Sequence, residues 1–466
     1  MVKIVVNAKQ LPIKAHYFFF MAAMGPILPF LPVYGKQLGV SPFVMGIITA
    51  VLPLLFFLAK PSFGFIVDRY RTHRRAIFIA LLASTSACYV LMYFLPALPV
   101  LPAQRASANS SFSEIDTPVA ENNCVYKSMA FWGFVLLMSL GNIGFNVSNC
   151  ISDAICFDVL GTGGEMSYGR QRVWGSVGFG LTAFMAGYAM DWWSRADTVK
   201  SYTPAFILIS VFTCIDLLCC SKLELPKMTS PESILKDVLG LLKVKPVAIF
   251  IFFATIVGIV DSFIIYFLFW YIEDLAMISG HMDDIKMIEG LTVFAETLGG
   301  EVLFFTLSGK ILKKIGYGCS FIFCFACYAL RLGLISLAPN PWWIVLSEFF
   351  MQGPSYALCY TTIVAYASVV APSGTSATVQ GIVAGMDDGL GFAIGSLIGG
   401  LLYKQFGGIF TLKIYSGLAL VTSIAYTIIH LAYLRRVMPE TDTRKNIEWK
   451  SPNEAVISCD GPDEKQ

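Results

Sequence analysis

This 466-residue chain has few charged side chains: Asp, Glu, Lys and Arg make up 14% of it, against about a quarter in an ordinary soluble domain. The 33 Lys and Arg nearly balance the 31 Asp and Glu, so a net charge of +2 provides no basic surface to attract nucleic acid. Hydrophobic residues reach 56%. This composition excludes an ordinary soluble enzyme and predicts a membrane protein that does not bind nucleic acid.

Motifs that carry chemistry are also scarce. The four histidines form no cluster with metal-ligand spacing, and neither a G-x-S-x-G nucleophile motif nor a GxxxxGK[ST] nucleotide-binding loop occurs. Most of the twelve cysteines lie in or beside apolar runs, where disulfide pairing is not expected. Cys324 and Cys327 form a C-x-x-C inside such a run, without a second pair at zinc spacing. We therefore predict no enzyme activity, no metal site and no cofactor.

The chain instead contains twelve apolar runs of helix length, and a lipid-spanning helix takes roughly 20 residues. A polar stretch with Pro226 and Pro231, residues 222–245, separates the first six runs from the last six. The sequence therefore predicts an all-α membrane protein with two six-helix bundles, 15–221 and 246–434. The predicted spans are 15–35, 43–66, 76–99, 129–156, 172–193, 203–221, 246–272, 289–308, 317–338, 341–367, 377–403 and 410–434.

The distribution of Lys and Arg sets the expected orientation, because these residues are retained on the cytoplasmic side. Most of them fall in the N-terminal tail 1–14, in alternate loops and in the C-terminal tail 435–466. Both termini are therefore expected in the cytoplasm, with the second tail disordered for lack of apolar periodicity. The loop near 100–128 then faces outward. It carries Asn109 in an Asn-Ser-Ser sequon, which makes Asn109 a candidate glycosylation site.

The segment after the second span, residues 61–75, reads PSFGFIVDRYRTHRR. Gly64 allows a neighbouring helix to pack closely, and Asp68 can pair with arginines or cap the N-terminal end of another helix. With Arg69 and Arg74, this spacing resembles the GxxxDR-x-x-x-RR signature of the major facilitator superfamily. The resemblance implies a cytoplasmic gate that stabilises the outward-facing state. The stretch 309–314, GKILKK, falls at the equivalent place in the second half.

Two further stretches are similar to the branch of lactose permease and, more closely, to the animal major facilitator domain-containing protein 6 group. Residues 24–32, MGPILPFLP, are similar to the proline-broken first helix of the permease, and residues 168–179, YGRQRVWGSVGF, to the start of its fifth span. The resemblance covers about 15–434. It implies a secondary transporter whose two bundles rock around a central polar cavity, driven by an ion or substrate gradient.

A charged side chain near the bilayer centre costs about 2.5 to 3.5 kcal/mol, so such residues usually face the bundle interior. By the resemblance, Asp153 occupies the place of a sugar-binding glutamate and Arg172 that of the arginine paired with it. Phe179 replaces a stacking tryptophan. The three residues are expected to hold a polar substrate. Because phenylalanine lacks the indole N–H, sugar specificity stays open.

In the second half, the resemblance places Glu296 at the substrate- and proton-linked glutamate and Arg331 at the arginine of the ninth span. A buried carboxylate beside an arginine can change its protonation as access alternates, which makes this pair a candidate coupling element. Glu301 lies five residues beyond Glu296, roughly 140° around an α-helix. We therefore expect Glu301 to face away from the cavity that Glu296 faces.

The chain also departs from the permease pattern. Phe349 and Gln352 stand where the permease has its titratable pair in the tenth span, although Glu348 is adjacent and could compensate. Asp261 matches a charge-paired aspartate, but Asp388 falls where its lysine partner would be. These two acids must share a proton, meet another cation or point apart.

Two questions remain open at this point: whether the buried charges touch substrate, and which of two functions the protein has. Each buried charge could belong to a structural ion pair that never touches substrate, and Lys60 and Asp158 are expected near the cytoplasmic headgroups. The favoured function is a secondary active transporter of a small polar organic solute in the plasma membrane, with protons as a candidate coupling ion. The rival is a cell-surface receptor on a transporter scaffold. Its extracellular protein partner would bind the acidic outer loop with Glu273, Asp274, Asp283, Asp284 and Glu289.

Overall fold

The computed structural model describes residues 10–38, 42–96, 128–161, 167–193, 201–223, 234–281, 285–372 and 374–437. Asn109, nearly all of the predicted outer loop, Asp283, Asp284 and the tail beyond residue 437 lie outside the described residues. For description, residues 10–223 are called the first half and residues 234–437 the second half.

The first span is broken, as the proline-rich sequence 24–32 predicts. Helix α1 (Leu11–Met24) is followed by turns over residues 25–30 and by α2 (Leu31–Leu38). Proline lacks an amide hydrogen, and its ring clashes with the preceding helical turn, so a helix is interrupted where prolines cluster. The remaining spans of the first half are α3 (Pro42–Arg69), α4 (Arg74–Met92), α5 (Met129–Leu160), α6 (Gly169–Trp193) and α7 (Thr203–Ser221).

The predicted connector contains a short helix, α8 (Ile234–Leu242), before the seventh span, α9 (Lys245–Ser279). Helix α9 has Pro246 in its first turn and ends at Gly280, whose φ of +75° is the left-handed conformation that glycine adopts easily. It is seven residues longer than the predicted span at its C-terminal end. The sixth span, α7, begins and ends as predicted.

Among the last five spans, the eighth, tenth and eleventh are interrupted by π-helical segments, and the twelfth ends in one. The eighth and ninth spans are α10 (Ile285–Phe294), the π segment Ala295–Glu301 and α11 (Val302–Ser336). The tenth is α12 (Pro341–Gln352), the π segment Gly353–Ala357 and α13 (Leu358–Val370). The last two are α14 (Ser376–Ala384), the π segment Gly385–Gly391 and α15 (Phe392–Ile429), followed by the π segment His430–Leu434 and the short α16 (Arg435–Val437).

Eight segments of the described chain are long and apolar enough to cross a membrane. Two of them are unusually long: Ile288–Ser336 has 49 residues and Ser376–Val437 has 62. Each bends at a glycine with φ of +77°, Gly316 or Gly407, and so contains two spans. The broken first span and the tenth span complete twelve crossings. The fold is therefore the predicted all-α membrane architecture of two six-helix bundles.

The two halves meet where α3, α5 and α6 of the first half pack against the second, with α5 lying against α14. Helix α3 packs against α14 and the π segment Gly385–Gly391, and α6 packs against α11 and the π segment Ala295–Glu301. A Cβ at Gly64 would clash with the Ala377 carbonyl, and one at Gly169 with the Phe305 carbonyl. Both close approaches lie at the end of the molecule that carries the α3–α4 and α13–α14 connections, which is called the latch end below.

Candidate functional site

Asp153 of α5 lies in the centre of a tyrosine cluster and is 2% exposed. Its Oδ1 accepts hydrogen bonds from the hydroxyls of Tyr17 (2.7 Å) and Tyr168 (2.8 Å), and its Oδ2 accepts one from Tyr360 (2.5 Å). The first two tyrosines belong to the first half and Tyr360 to α13 of the second. One carboxylate therefore ties three spans of the first half to the tenth span.

Arg172 of α6 is 6% exposed and is surrounded by aromatic rings rather than by acids. The guanidinium carbon lies 5.7 Å from the ring centres of Tyr17 and Tyr360 and 5.8 Å from that of Phe305. Within the described chain it makes no hydrogen bond and no direct ion pair, and its buried Nε has no acceptor. The expected direct pairing with Asp153 is therefore not observed. The guanidinium keeps its N–H donors available to a ligand.

Phe179 lies about two helical turns beyond Arg172 on α6 and is half-buried against the apolar core. Its backbone carbonyl lies beside Gly25, at the break of the first span, where a side chain on residue 25 would not fit well. The structure therefore places Phe179 on the helix that carries Arg172, where α6 packs against the broken span. A role in stacking on a substrate stays a prediction.

Arg331 of α11 is engaged by carboxylates. Its Nε donates to Glu348 Oε1 at 2.9 Å, its Nη2 contacts the other carboxylate oxygen, and its Nη1 donates to the Ser355 hydroxyl at 3.2 Å. Arg331 and Glu348 are both buried. Glu296 Oε1 lies 4.0 Å from Arg331 Nη2, at the outer limit of an ion pair. The sequence analysis favours Glu296 as the partner, whereas the structure gives the two-point contact to Glu348.

Glu301 corrects one expectation. The π segment Ala295–Glu301 bonds each residue to the one five positions away, so Glu296 and Glu301 lie on one face instead of roughly 140° apart. Glu301 accepts hydrogen bonds from the Ser176 hydroxyl (2.6 Å) and from Gln352 Nε2 (3.1 Å). It therefore joins α6 of the first half to two spans of the second. The error came from assuming α-helical geometry through the glycine pair 299–300.

Asp388 pairs with a cation from the other half, which is one of the three arrangements that the sequence analysis left open for Asp261 and Asp388. Its carboxylate forms an ion pair with Nζ of Lys60, from α3 of the other half. Lys60 is 3% exposed and lies at mid-span, so its expected position near the headgroups is wrong. Asp261 has a separate partner, since it accepts a hydrogen bond from the Tyr328 hydroxyl at 3.0 Å.

The predicted gate residues lie at the latch end. Asp68 is fully buried and caps the first turn of α14, where it accepts hydrogen bonds from the amides of Ala377 (3.3 Å) and Thr378 (2.6 Å). The Thr378 hydroxyl adds a third bond at 2.7 Å. The positive N-terminal end of a helix stabilises such a carboxylate. Gly64, one turn earlier, permits the close approach.

The arginines of the signature have different partners. Arg74 forms a buried ion pair with Asp158 of α5, so Asp158 is paired within the protein rather than simply directed to the headgroups. Arg71, which the sequence analysis did not single out, lies 3.7 Å from Asp68 Oδ1. Arg69 is exposed and makes no ion pair with a described residue.

The interior carries more acids than bases. Apart from the pair His16 and Asp216, the described interior away from the latch end has the cations Lys60, Arg172 and Arg331 and the carboxylates Asp153, Asp261, Glu296, Glu301, Glu348, Asp387 and Asp388. The Glu296 and Asp388 side chains are 19% and 26% exposed even though they lie at mid-span and face partners across the bundle. An acid excess around accessible space attracts protons or cationic groups.

The convergence of tyrosines is the feature that sequence analysis missed. Tyr17 is 136 residues from Asp153 in the chain and Tyr360 is 207 residues away, so no local spacing connects them. Only Tyr168 could have been noticed in the sequence, because it is the first residue of the stretch 168–179, which is similar to the fifth span of the permease. A tyrosine inside an apolar run is otherwise compatible with ordinary core packing.

Comparisons with known proteins agree with this architecture. The sequence model described as the MFS_1 like family matches residues 11–414. A maltose permease of Geobacillus stearothermophilus is 23% identical over 397 residues, 84% of this chain and 86% of that protein. Among solved structures, the nucleoside transporter NupG is 18% identical, with 90% of this chain and 99% of that chain covered and a TM-score of 0.60. The human organic anion transporter MFSD10 (TETRAN) is 16% identical, with 90% and 98% covered and a TM-score of 0.65.

Proposed function

The chain belongs to the MFS_1 like family, and from this premise we propose that it moves a small polar organic molecule by alternating access. It is a multi-pass membrane protein that acts as a secondary transporter and not as an enzyme. The substrate class is an inference from the site. Relatives named as carriers of maltose and of nucleosides support it, because both solutes are rich in oxygen acceptors.

The observation that carries the proposal is the unbonded guanidinium of Arg172. An arginine that is 6% exposed and has no acceptor in the described chain is costly, unless a ligand supplies the acceptors. The rings of Tyr17, Tyr360 and Phe305 offer apolar faces around it. A solute with hydroxyl or carbonyl oxygens would satisfy the guanidinium and pack against these rings.

Protons are the coupling ion that the site supports best. Glu348 and Glu296 face one cation, Arg331, so one negative charge is left for a proton to neutralise. Glu301 lies on the same helix face as Glu296 and reaches the first half through Ser176. Protonation on one side of the membrane and release on the other would then bias the contacts between the halves.

Alternating access requires the contacts between the halves to break and re-form. In the described chain the polar contacts of this kind are Asp68 with α14, Lys60 with Asp388, Asp153 and Asn149 with Tyr360, and Ser176 with Glu301. We assign the latch end to the cytoplasm, in line with the Lys and Arg distribution, so that this arrangement is closed on the inside. The gate role of Gly64, Asp68, Arg69 and Arg74 follows from that assignment.

The finer expectations from sequence remain part of this proposal. One is membership of the lactose permease branch, close to the animal major facilitator domain-containing protein 6 group. The others are a plasma membrane location, cytoplasmic termini and glycosylation at Asn109. The receptor alternative gains no support from Asp274, whose carboxylate accepts a hydrogen bond at 2.5 Å from Tyr403 of α15 and is therefore engaged within the protein. We therefore advance transport alone.

An uptake panel tests the proposal. The full-length protein in liposomes is given labelled sugars, nucleosides, amino acids and carboxylates, with and without an imposed pH gradient. We expect uptake of at least one polar solute, and its loss by about 100-fold in Arg172→Gln, because a group that binds solute through charged hydrogen bonds contributes about 1.5 to 3 kcal/mol.

The matched control is Arg170→Gln. Arg170 lies two residues away on the same helix, is exposed and has no recorded partner in the described chain. It should transport like the unmodified protein. Equal losses in the two variants would contradict a binding role for Arg172, and uptake of no solute in the panel would contradict the substrate class.

A further inference from the structure

A second polar cluster lies inside the first half, away from the contacts between the halves. His16 of α1 and Asp216 and Cys220 of α7 place one potential ligand atom each within 4.8 Å of one another. His16, Asp216 and Cys220 are 0%, 2% and 1% exposed, respectively. His16 and Tyr17 are adjacent in α1 and therefore point about 100° apart, Tyr17 towards Asp153 and His16 towards α7. The transport site does not use this cluster.

The three ligand atoms are arranged at separations that a metal ion could bridge. His16 Nδ1 lies 2.8 Å from Asp216 Oδ1 and 3.2 Å from Cys220 Sγ, and the sulfur lies 3.6 Å from the same carboxylate oxygen. Zinc bonds of about 2.0 to 2.3 Å in a tetrahedron place ligand atoms roughly 3.3 to 3.6 Å apart. The imidazole–carboxylate distance would need to lengthen by about half an ångström and the imidazole–sulfur distance by about 0.3 Å.

The other imidazole nitrogen is already fixed. The Ser152 hydroxyl donates its single proton to the Ser148 carbonyl at 2.7 Å. At its 2.8 Å contact with His16 Nε2 the serine must therefore accept, which makes Nε2 the N–H donor. The imidazole ring is also packed against Phe20 and Phe78, with ring centres 5.5 and 5.1 Å away. Metal-binding histidines are oriented in this way by a hydrogen bond at the nitrogen that does not bind the metal.

The charges of such a site would balance. A divalent cation with one carboxylate, one thiolate and one neutral imidazole sums to zero, and a buried set of ions is tolerated only when it is paired in this way. Sulfur and imidazole ligands together select zinc over magnesium or calcium, which prefer oxygen. The described residues supply three ligands, so a water molecule would complete a tetrahedral shell.

The geometry points to a structural zinc site formed by His16, Asp216 and Cys220, with Ser152 as the residue that positions the imidazole. The ion would fasten α1 to α7, on a face of α1 about 100° from the one that carries Tyr17. It would thereby hold Tyr17 in register with Asp153. Sequence spacing could not reveal the site, because 200 residues separate His16 from Asp216. The inference does not depend on the solute or on the coupling ion.

Metal analysis of the purified full-length chain, prepared in detergent without a polyhistidine tag, tests the site. After removal of loosely bound metal and titration with Zn²⁺ alone, we expect about one ion per chain. Cys220→Ser and Asp216→Asn should lower zinc affinity by at least about 100-fold, and Ser152→Ala by about 10- to 100-fold. Cys219→Ser is the matched control, because Cys219 is adjacent but is not one of the three ligands; it should bind as the unmodified protein does.

Substitution with Co²⁺ gives a readout that does not require a folded variant. A thiolate ligand produces a sulfur-to-cobalt charge-transfer band, which we expect in the unmodified protein and in Cys219→Ser. Substoichiometric zinc in the unmodified protein at saturating Zn²⁺ would overturn the inference. So would a cobalt spectrum without thiolate ligation, or equal zinc affinity in Cys220→Ser and the unmodified protein.

Discussion

Arg172 and Arg331 are both buried arginines, one in each half, yet their surroundings differ. Arg331 is fixed by Glu348 at two points and by the Ser355 hydroxyl. Arg172 has three aromatic rings and no acceptor in the described chain. An arginine whose donors are used holds helices together, whereas one whose donors are free can bind a solute. Burial and charge alone do not separate these two roles; hydrogen-bond accounting does.

The largest expected effect is on stability at Arg331. Arg331→Met leaves Glu348 as a buried unpaired charge and should destabilise the fold by about 3 to 5 kcal/mol. Arg172→Met loses mainly ring contacts and should cost about 1 to 2 kcal/mol. Thermal unfolding can be followed with a thiol-reactive dye, because the ten cysteines in the described residues are free and several are buried.

The double variant Arg331→Met with Glu348→Met serves as the control for that comparison. Removing both charges should recover most of the lost stability, since a buried ion pair can be replaced by apolar groups of similar size. If Arg172→Met proved as destabilising as Arg331→Met, the contrast between the two arginines would be wrong.

The acids around Arg331 should control coupling. Glu296→Gln removes the carboxylate that Arg331 does not fully neutralise, so accumulation driven by a pH gradient should disappear. Exchange of labelled for unlabelled solute should persist, because the Arg172 site is unchanged. Both are measured in liposomes with the solute found in the panel. Accumulation equal to that of the unmodified protein would exclude Glu296 as the coupling residue.

A smaller effect is expected at Lys60, which forms an ion pair with Asp388 of the other half. Lys60→Asp and Asp388→Lys each place like charges across the contact between the halves and should slow uptake by about tenfold or more, as coupled pairs of this kind contribute about 0.5 to 3 kcal/mol. The combined swap restores the pair and should recover most of the rate. Failure of the swap to improve on either single variant would show that the pair is not an independent contact.

The smallest effect is expected at the latch end. Asp68→Asn keeps an acceptor for α14 but loses the charge that favours a helix N-terminus, worth about 0.3 to 1 kcal/mol. The population open at the latch end should rise by about two- to fivefold. Spin labels at the exposed positions Tyr70 and Lys310, one in each half, would report it as a second, longer distance. An unchanged distance distribution would argue against a gating role for Asp68.

The sequence predicted the fold well because each span carries its own apolar signal. It also predicted the Gly64 and Asp68 contact, since the signature encodes a close approach and a helix cap on one face. It failed where geometry departs from the α-helix: the π segment puts Glu301 beside Glu296, and two glycines were the only local hint. It failed again at Lys60 and Asp388, because 328 residues separate the partners and one-dimensional spacing contains no such contact.

The kinetics of Arg172→Lys test the central claim most directly. Lysine keeps the positive charge but loses the planar fork of donors, so a solute bound by the guanidinium should show a KM raised by about tenfold or more, with a smaller change in maximal rate. Arg331→Lys should instead lower stability and maximal rate with KM nearly unchanged. A KM for Arg172→Lys equal to that of Arg170→Lys and of the unmodified protein would contradict the assignment of Arg172 as the solute-binding residue.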